Sequence, residues 1–114
     1  MEMRLHLHPE VFDVVASGNK NVEVRVNDEK RRQLKVGDTL IFLKRPDDIE
    51  TITAKITNLV YFDTFLSVLD HYEMKNIYLE TTTPEEYISL LKQFYTDEDE
   101  SQYGVVAIEF EIIK

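Results

Sequence analysis

Lys20, Glu23 and Arg25 bring an ammonium, a carboxylate and a guanidinium together on one short stretch of chain. Such a group can hold a polar ligand, or it can move protons, because neighbouring charges in a semi-buried cleft shift one another's ionisation. In strand form, Val22, Val24 and Val26 point one way while Asn21, Glu23 and Arg25 point the other. Polar groups this unlike are costly to bury on one face unless they answer each other or a ligand. The plainest alternative is a surface ion-pair ladder, worth ~0–1 kcal/mol per pair. Lys20 has the opposite strand parity from Glu23. It reaches the same cleft only if the turn after Gly18 twists it round, which the long lysine stem permits.

Further along, Lys30, Arg31, Arg32 and Lys35 make a basic loop able to hold phosphate by charge alone. It is expected to border the same cleft. Otherwise it is a solvated loop, or Arg31 or Arg32 turns inward to Asp28, Asp38 or the acidic run. Tyr103, beside Gly104 at the mouth of the last strand, is placed to stack on a base, a contact worth ~1–3 kcal/mol. Most other aromatics recur at core spacing. His6 and His8 share a strand face near Glu10, but no third ligand is placed, so no metal is expected. His71 beside Glu73 makes only a weak acid–base pair on spacing alone.

The frame around these residues is small. At 114 residues the chain has room for a single domain, 1–114, with one core. Its net charge of -9 should repel nucleic acid in bulk, yet the charge is uneven. Residues 20–35 are predominantly basic, whereas Asp97-Glu98-Asp99-Glu100 reads as a solvated acidic loop. The absence of cysteine removes disulfides and thiol nucleophiles. No signal-like or membrane-spanning segment is evident, so a cytoplasmic protein without a membrane partner is expected. No cofactor is expected either.

Patterning supplies the elements. Residues 4–8 alternate as a strand, and Pro9 opens a helix that closes at Ser17-Gly18-Asn19. The polar-faced strand spans 20–27. Residues 39–43 form a nearly continuous apolar strand, expected to be covered on both faces. After a turn at Arg45-Pro46-Asp47-Asp48, residues 51–57 alternate as a half-solvated strand. Asp63 is expected to cap a short helix with Phe65, Leu66 and Leu69 inward. Thr83, Pro84 and Glu86 announce a helix to Tyr95, and 105–113 alternates as the last strand. The fold class is α+β, a small mixed β-barrel with flanking short helices. Its expected core is Val22, Val24, Leu40, Phe42, Ile56, Ile108 and Phe110.

The order of pieces resembles the ASCH domain, a branch of the PUA-like superfamily. The His-Pro-Glu helix start, the Lys20, Glu23 and Arg25 strand, the Asp28–Arg32 loop and Val36-Gly37-Asp38 follow its pattern. So do Tyr61–Phe65 and Tyr103–Glu109. The resemblance implies a PUA-like barrel and a cleft that binds RNA or a nucleotide. One branch of the family resembles hydrolases that remove the acyl group from N4-acetylcytidine, using a lysine, a threonine three residues later and a glutamate. Lys20 matches the lysine and Glu73 the glutamate, but Glu23 occupies the threonine position.

Two readings follow. As a binding module, Lys20, Glu23, Arg25, Lys30, Arg31, Arg32 and Tyr103 hold RNA or a nucleotide-like molecule. As a small amidohydrolase, Lys20 with Glu23 or Glu73 handles protons around an acylated nucleobase. A homodimer through an exposed edge strand is a third, blander reading.

Overall fold

The computed structural model describes residues 1–113. Five strands form one curled mixed sheet: β1 (Glu2–Leu7), β2 (Val22–Val26), β3 (Thr39–Lys44), β4 (Thr51–Phe62) and β5 (Val105–Ile112). Their spatial order is β1-β3-β4-β5-β2. β1 and β3 run parallel, and every other neighbouring pair is antiparallel. The helices are α1 (Pro9–Ala16), α2 (Phe65–Leu69), α3 (Met74–Ile77), α4 (Pro84–Phe94) and α5 (Asp97–Tyr103). This is the α+β, barrel-like architecture expected from the patterning.

The expected core residues are all buried, but they divide between two clusters. Leu40, Phe42, Ile56, Ile108 and Phe110 pack with β1 and α1 on one side of the sheet. Val22 and Val24 pack on the other side, with Val26, Phe65, Val68, Ile77 and Tyr87. The sheet is therefore covered twice, and β5 is the strand buried on both faces. Val105 and Ala107 join one cluster while Val106, Ile108 and Phe110 join the other. That corrects the expectation for β3, in which Leu40 and Phe42 are fully buried while Ile41 is partly exposed.

Local details depart from the patterning where a cap decides. Thr64, not Asp63, caps α2, its Oγ1 accepting from the Ser67 amide at 3.1 Å. Phe65 and Val68 face inward, and Leu66 is exposed. The acidic run is not a loop but the first turn of α5. Thr96 and Asp99 form a capping box there, and four carboxylates sit where the helix dipole favours negative charge. The Thr83–Glu86 capping box of α4 is present as expected. β4 continues to Phe62, past a register shift between Ile56 and Asn58.

Candidate functional site

Lys20 precedes β2, so strand alternation does not govern its direction. The turn after α1 does. Gly18 takes φ 89°, a left-handed value that favours glycine, and the Lys20 amide donates back to the Val14 carbonyl at 3.1 Å. The turn is also stitched to α3: the Asn21 amide donates to the Asn76 carbonyl at 3.0 Å, and Asn76 Nδ2 donates to the Asn19 carbonyl at 3.1 Å. Held this way, Lys20 turns inward and is only 1% exposed.

Its ammonium is saturated. Nζ donates to the Val22 and Ile77 carbonyls, both at 2.7 Å, and lies 3.5 Å from Glu23 Oε1. Glu23 is 7% exposed. Its second oxygen, Oε2, is buried and accepts no hydrogen bond among the described residues, the nearest cation being Arg25 Nη2 at 3.6 Å. Burial pushes the Glu23 carboxyl up, but the Lys20 and Arg25 charges outweigh this and hold it below the usual carboxylate range. Burial lowers the Lys20 pKa, against the pull of Glu23. Burial works against the Arg25 charge too, but Glu23 and the nearby Tyr95 raise its pKa on balance.

The three residues line a cavity of about 300 Å³. Its walls come from the end of β1, α1, β2 and the α3–α4 region, and its aromatic surfaces are Tyr78, Tyr87, Phe94 and Tyr95. Tyr78 and Tyr87 have ring centroids 5.7 Å apart, and burial raises both phenols above their ordinary range. Tyr95 stacks on Phe65, whereas Phe94 is 66% exposed at the rim. His6, His8 and Arg45 complete the polar lining. A cavity of this size with an aromatic lining and a few convergent polar groups is the usual build of a small-molecule site.

Residues 5–114 match the ASCH domain family. The chain belongs to that family. Two structures resemble this ASCH domain along nearly its whole length. The crystal structure of hypothetical protein PH0355 is 34% identical with a TM-score of 0.85, covering 99% of this chain and 100% of that one. The solution structure of protein PF0455 from Pyrococcus furiosus is 30% identical with a TM-score of 0.77, covering 100% and 99%. The crystal structure of ASCH from Zymomonas mobilis shares the fold at 15% identity and a TM-score of 0.64, covering 96% of this chain and 66% of that one. The fold is thus PUA-like. No curated protein matches the sequence.

The remaining expected site residues of the ASCH domain lie elsewhere. Glu73 is an exposed residue preceding α3, 3.4 Å from Lys75, and it does not line the cavity. The turn that brings α3 against Lys20 leaves the Glu73 side chain in solvent. The basic loop sits at the opposite end of β2. Arg31 reaches Asp28 at 3.4 Å, and Arg32 Nε donates to the Asn27 carbonyl at 2.9 Å. Arg32 also lies 5.5 Å above the Tyr103 ring. Tyr103 lines a separate cavity of about 650 Å³ with Asn27, Tyr61, Asp63 and Glu100. Lys30 is exposed. The loop therefore does not border the Lys20 cavity.

Sequence reasoning overlooked Arg45, Tyr78 and Tyr87 as cavity residues. The turn chemistry around Pro46 concealed the first, and helical core spacing concealed Tyr87. The only cue for Tyr87 was its position on the α4 face that also carries Leu91.

Proposed function

We propose that this ASCH domain binds a nucleobase-bearing ligand, RNA or a nucleotide, with the base in the Lys20–Glu23–Arg25 cavity. One observation carries the reading: a buried carboxylate oxygen, Glu23 Oε2, stands without a hydrogen-bond partner in an aromatic-lined cavity. Its ion-pair partner, Arg25 Nη2 at 3.6 Å, is beyond hydrogen-bond reach, and a buried acceptor left without a hydrogen bond costs about 1–3 kcal/mol, which a ligand N–H recovers. Nucleobases offer N–H groups on a flat edge and a π-face for Tyr78, Tyr87 or Tyr95. The Lys20 protons are already committed to three acceptors, so Lys20 positions Glu23 rather than contacting ligand.

The hydrolytic alternative draws on the buried lysine, whose depressed pKa suits proton transfer. Its other parts are not assembled. Glu73 lies outside the cavity, and no serine or threonine lines it among the described residues. Binding is the reading the geometry supports better.

Fluorescence titration with nucleosides and short single-stranded RNA at low salt tests it. Wild type should bind, and Arg25→Ala should lose binding at every salt concentration. Arg31→Ala, at the far end of β2, should leave cavity binding unchanged. No binding at low salt, where charge contacts are strongest, overturns the reading. Turnover of N4-acetylcytidine followed by chromatography would favour the hydrolase instead.

A further inference from the structure

We infer that Arg45 forms a phosphate subsite at the rim of the Lys20–Glu23–Arg25 cavity, making the ligand a phosphorylated nucleoside. The inference rests on the nucleobase reading of that cavity. Among the described residues, the lining carries three basic side chains, Lys20, Arg25 and Arg45, against the single carboxylate of Glu23. In a chain of net charge -9, that local excess selects an anion.

Two of the three cations are committed. Lys20 Nζ is bound by two carbonyls and lies against Glu23, and the Arg25 guanidinium lies beside Glu23 Oε2. Arg45 is exposed and forms no ion pair among the described residues. The acidic side chains of the same turn contact other groups, and none is ion-paired to Arg45: Asp47 Oδ1 accepts from the Ile49 amide at 3.1 Å, Asp48 Oδ2 is 3.2 Å from His6, and Glu50 lies 3.8 Å from Lys44. The backbone of Arg45 is nonetheless fixed, because its amide donates to the Leu7 carbonyl at 2.9 Å and so pins the turn to the end of β1. A guanidinium presents planar paired donors that match phosphate oxygens two at a time. His8, also on the lining, adds an imidazole N–H able to donate one further hydrogen bond.

The basic loop does not compete for this role. Arg31 and Arg32 are turned to Asp28, Asn27 and Tyr103 beyond the far end of β2. A ligand with its base against Glu23 meets Arg45 before it meets that loop.

Isothermal titration with nucleosides, the matching nucleoside 5′-monophosphates and a dinucleoside monophosphate tests the assignment. The monophosphate should bind wild type about tenfold tighter than the nucleoside, as expected for one charge-assisted contact. Arg45→Ala and Arg45→Gln should erase that advantage while leaving nucleoside affinity and the thermal melt unchanged. They should also reduce the salt slope of monophosphate binding by about one. Arg45-dependent binding of the dinucleotide assigns the subsite to RNA backbone. Arg45-dependent binding confined to the monophosphate assigns it to a free nucleotide. Equal affinity for nucleoside and monophosphate, or a phosphate advantage that survives Arg45→Ala, overturns the subsite and leaves the base-binding reading standing. Absence of binding by either ligand overturns both.

Discussion

Lys20 Nζ donates to the main-chain carbonyl of Ile77 at 2.7 Å, joining the turn before β2 to the last residue of α3. The same ammonium reaches the carbonyl of Val22, so one side chain holds a strand, a helix and the Glu23 carboxylate in register. Replacing it with Met keeps the volume but leaves Glu23 buried opposite only Arg25. Breaking a buried pair from one side costs about 3–5 kcal/mol. Since a domain of this size has about 5–15 kcal/mol in total, Lys20→Met should be marginal by urea denaturation. The double variant Lys20→Met/Glu23→Leu should recover part of the loss, because no charge is then stranded. Equal stability of wild type and Lys20→Met would remove the tether from the account.

Glu23 also sets a pH dependence. Burial favours its neutral form, but the Lys20 and Arg25 charges prevail and hold its folded-state pKa below the usual carboxylate range. A depressed carboxyl contributes stability that is present above the unfolded pKa and is lost as pH falls through the folded value. Wild type should therefore lose more stability than Glu23→Gln between about pH 6 and about pH 3. Urea titrations at several pH values measure the gap between the two proteins. A gap that stays constant on acidification would contradict the assigned ionisation.

Phe110 tests the core on the opposite side of the sheet from the helical cluster. Its ring centroid lies 4.9 Å from that of Phe42, and the residue is 6% exposed. Truncation to Ala should cost about 3–5 kcal/mol through lost transfer energy and the cavity left behind. A thermal melt unchanged by Phe110→Ala would place the residue outside the core. Ligand affinity per folded molecule should be unaffected, because Phe110 does not line the candidate cavity.

Strand parity made much of this legible. The alternation of Val22, Val24 and Val26 against Glu23 and Arg25 is local, and it survives folding because β2 pairs with β5 in regular register. Parity cannot say which cluster each face joins, so Val22 and Val24 were grouped with Leu40 although a different layer covers them. Taken for its charge alone, the acidic run reads as a solvated loop. Yet the Thr96-x-x-Asp99 cap lies in the sequence itself, and a helix start turns four clustered carboxylates from a liability into a fit. Glu73 and the basic loop failed for another reason. The place of Glu73 is set by how α3 docks, which no local spacing encodes, whereas β2 itself carries the basic loop to the end remote from Lys20. Arg45 joins the cavity through a β1–β3 pairing that brings Leu7 beside Lys44.

The order β1-β3-β4-β5-β2 has a consequence for how the protein is made. Synthesis proceeds from the amino terminus, and β1, β3 and β4 can pair as soon as they emerge. β2 emerges early too, but its ladder partner is β5, with Val26 opposite Val105. Until Val105–Ile112 clears the ribosome, the strand bearing Glu23 and Arg25 has nothing to zip against, and neither cavity wall nor buried ion pair exists. A nascent chain halted before Val105 thus lacks the strand against which β2 pairs, and with it the candidate cavity. Acquisition of ligand affinity would mark completion of the domain, not its gradual growth.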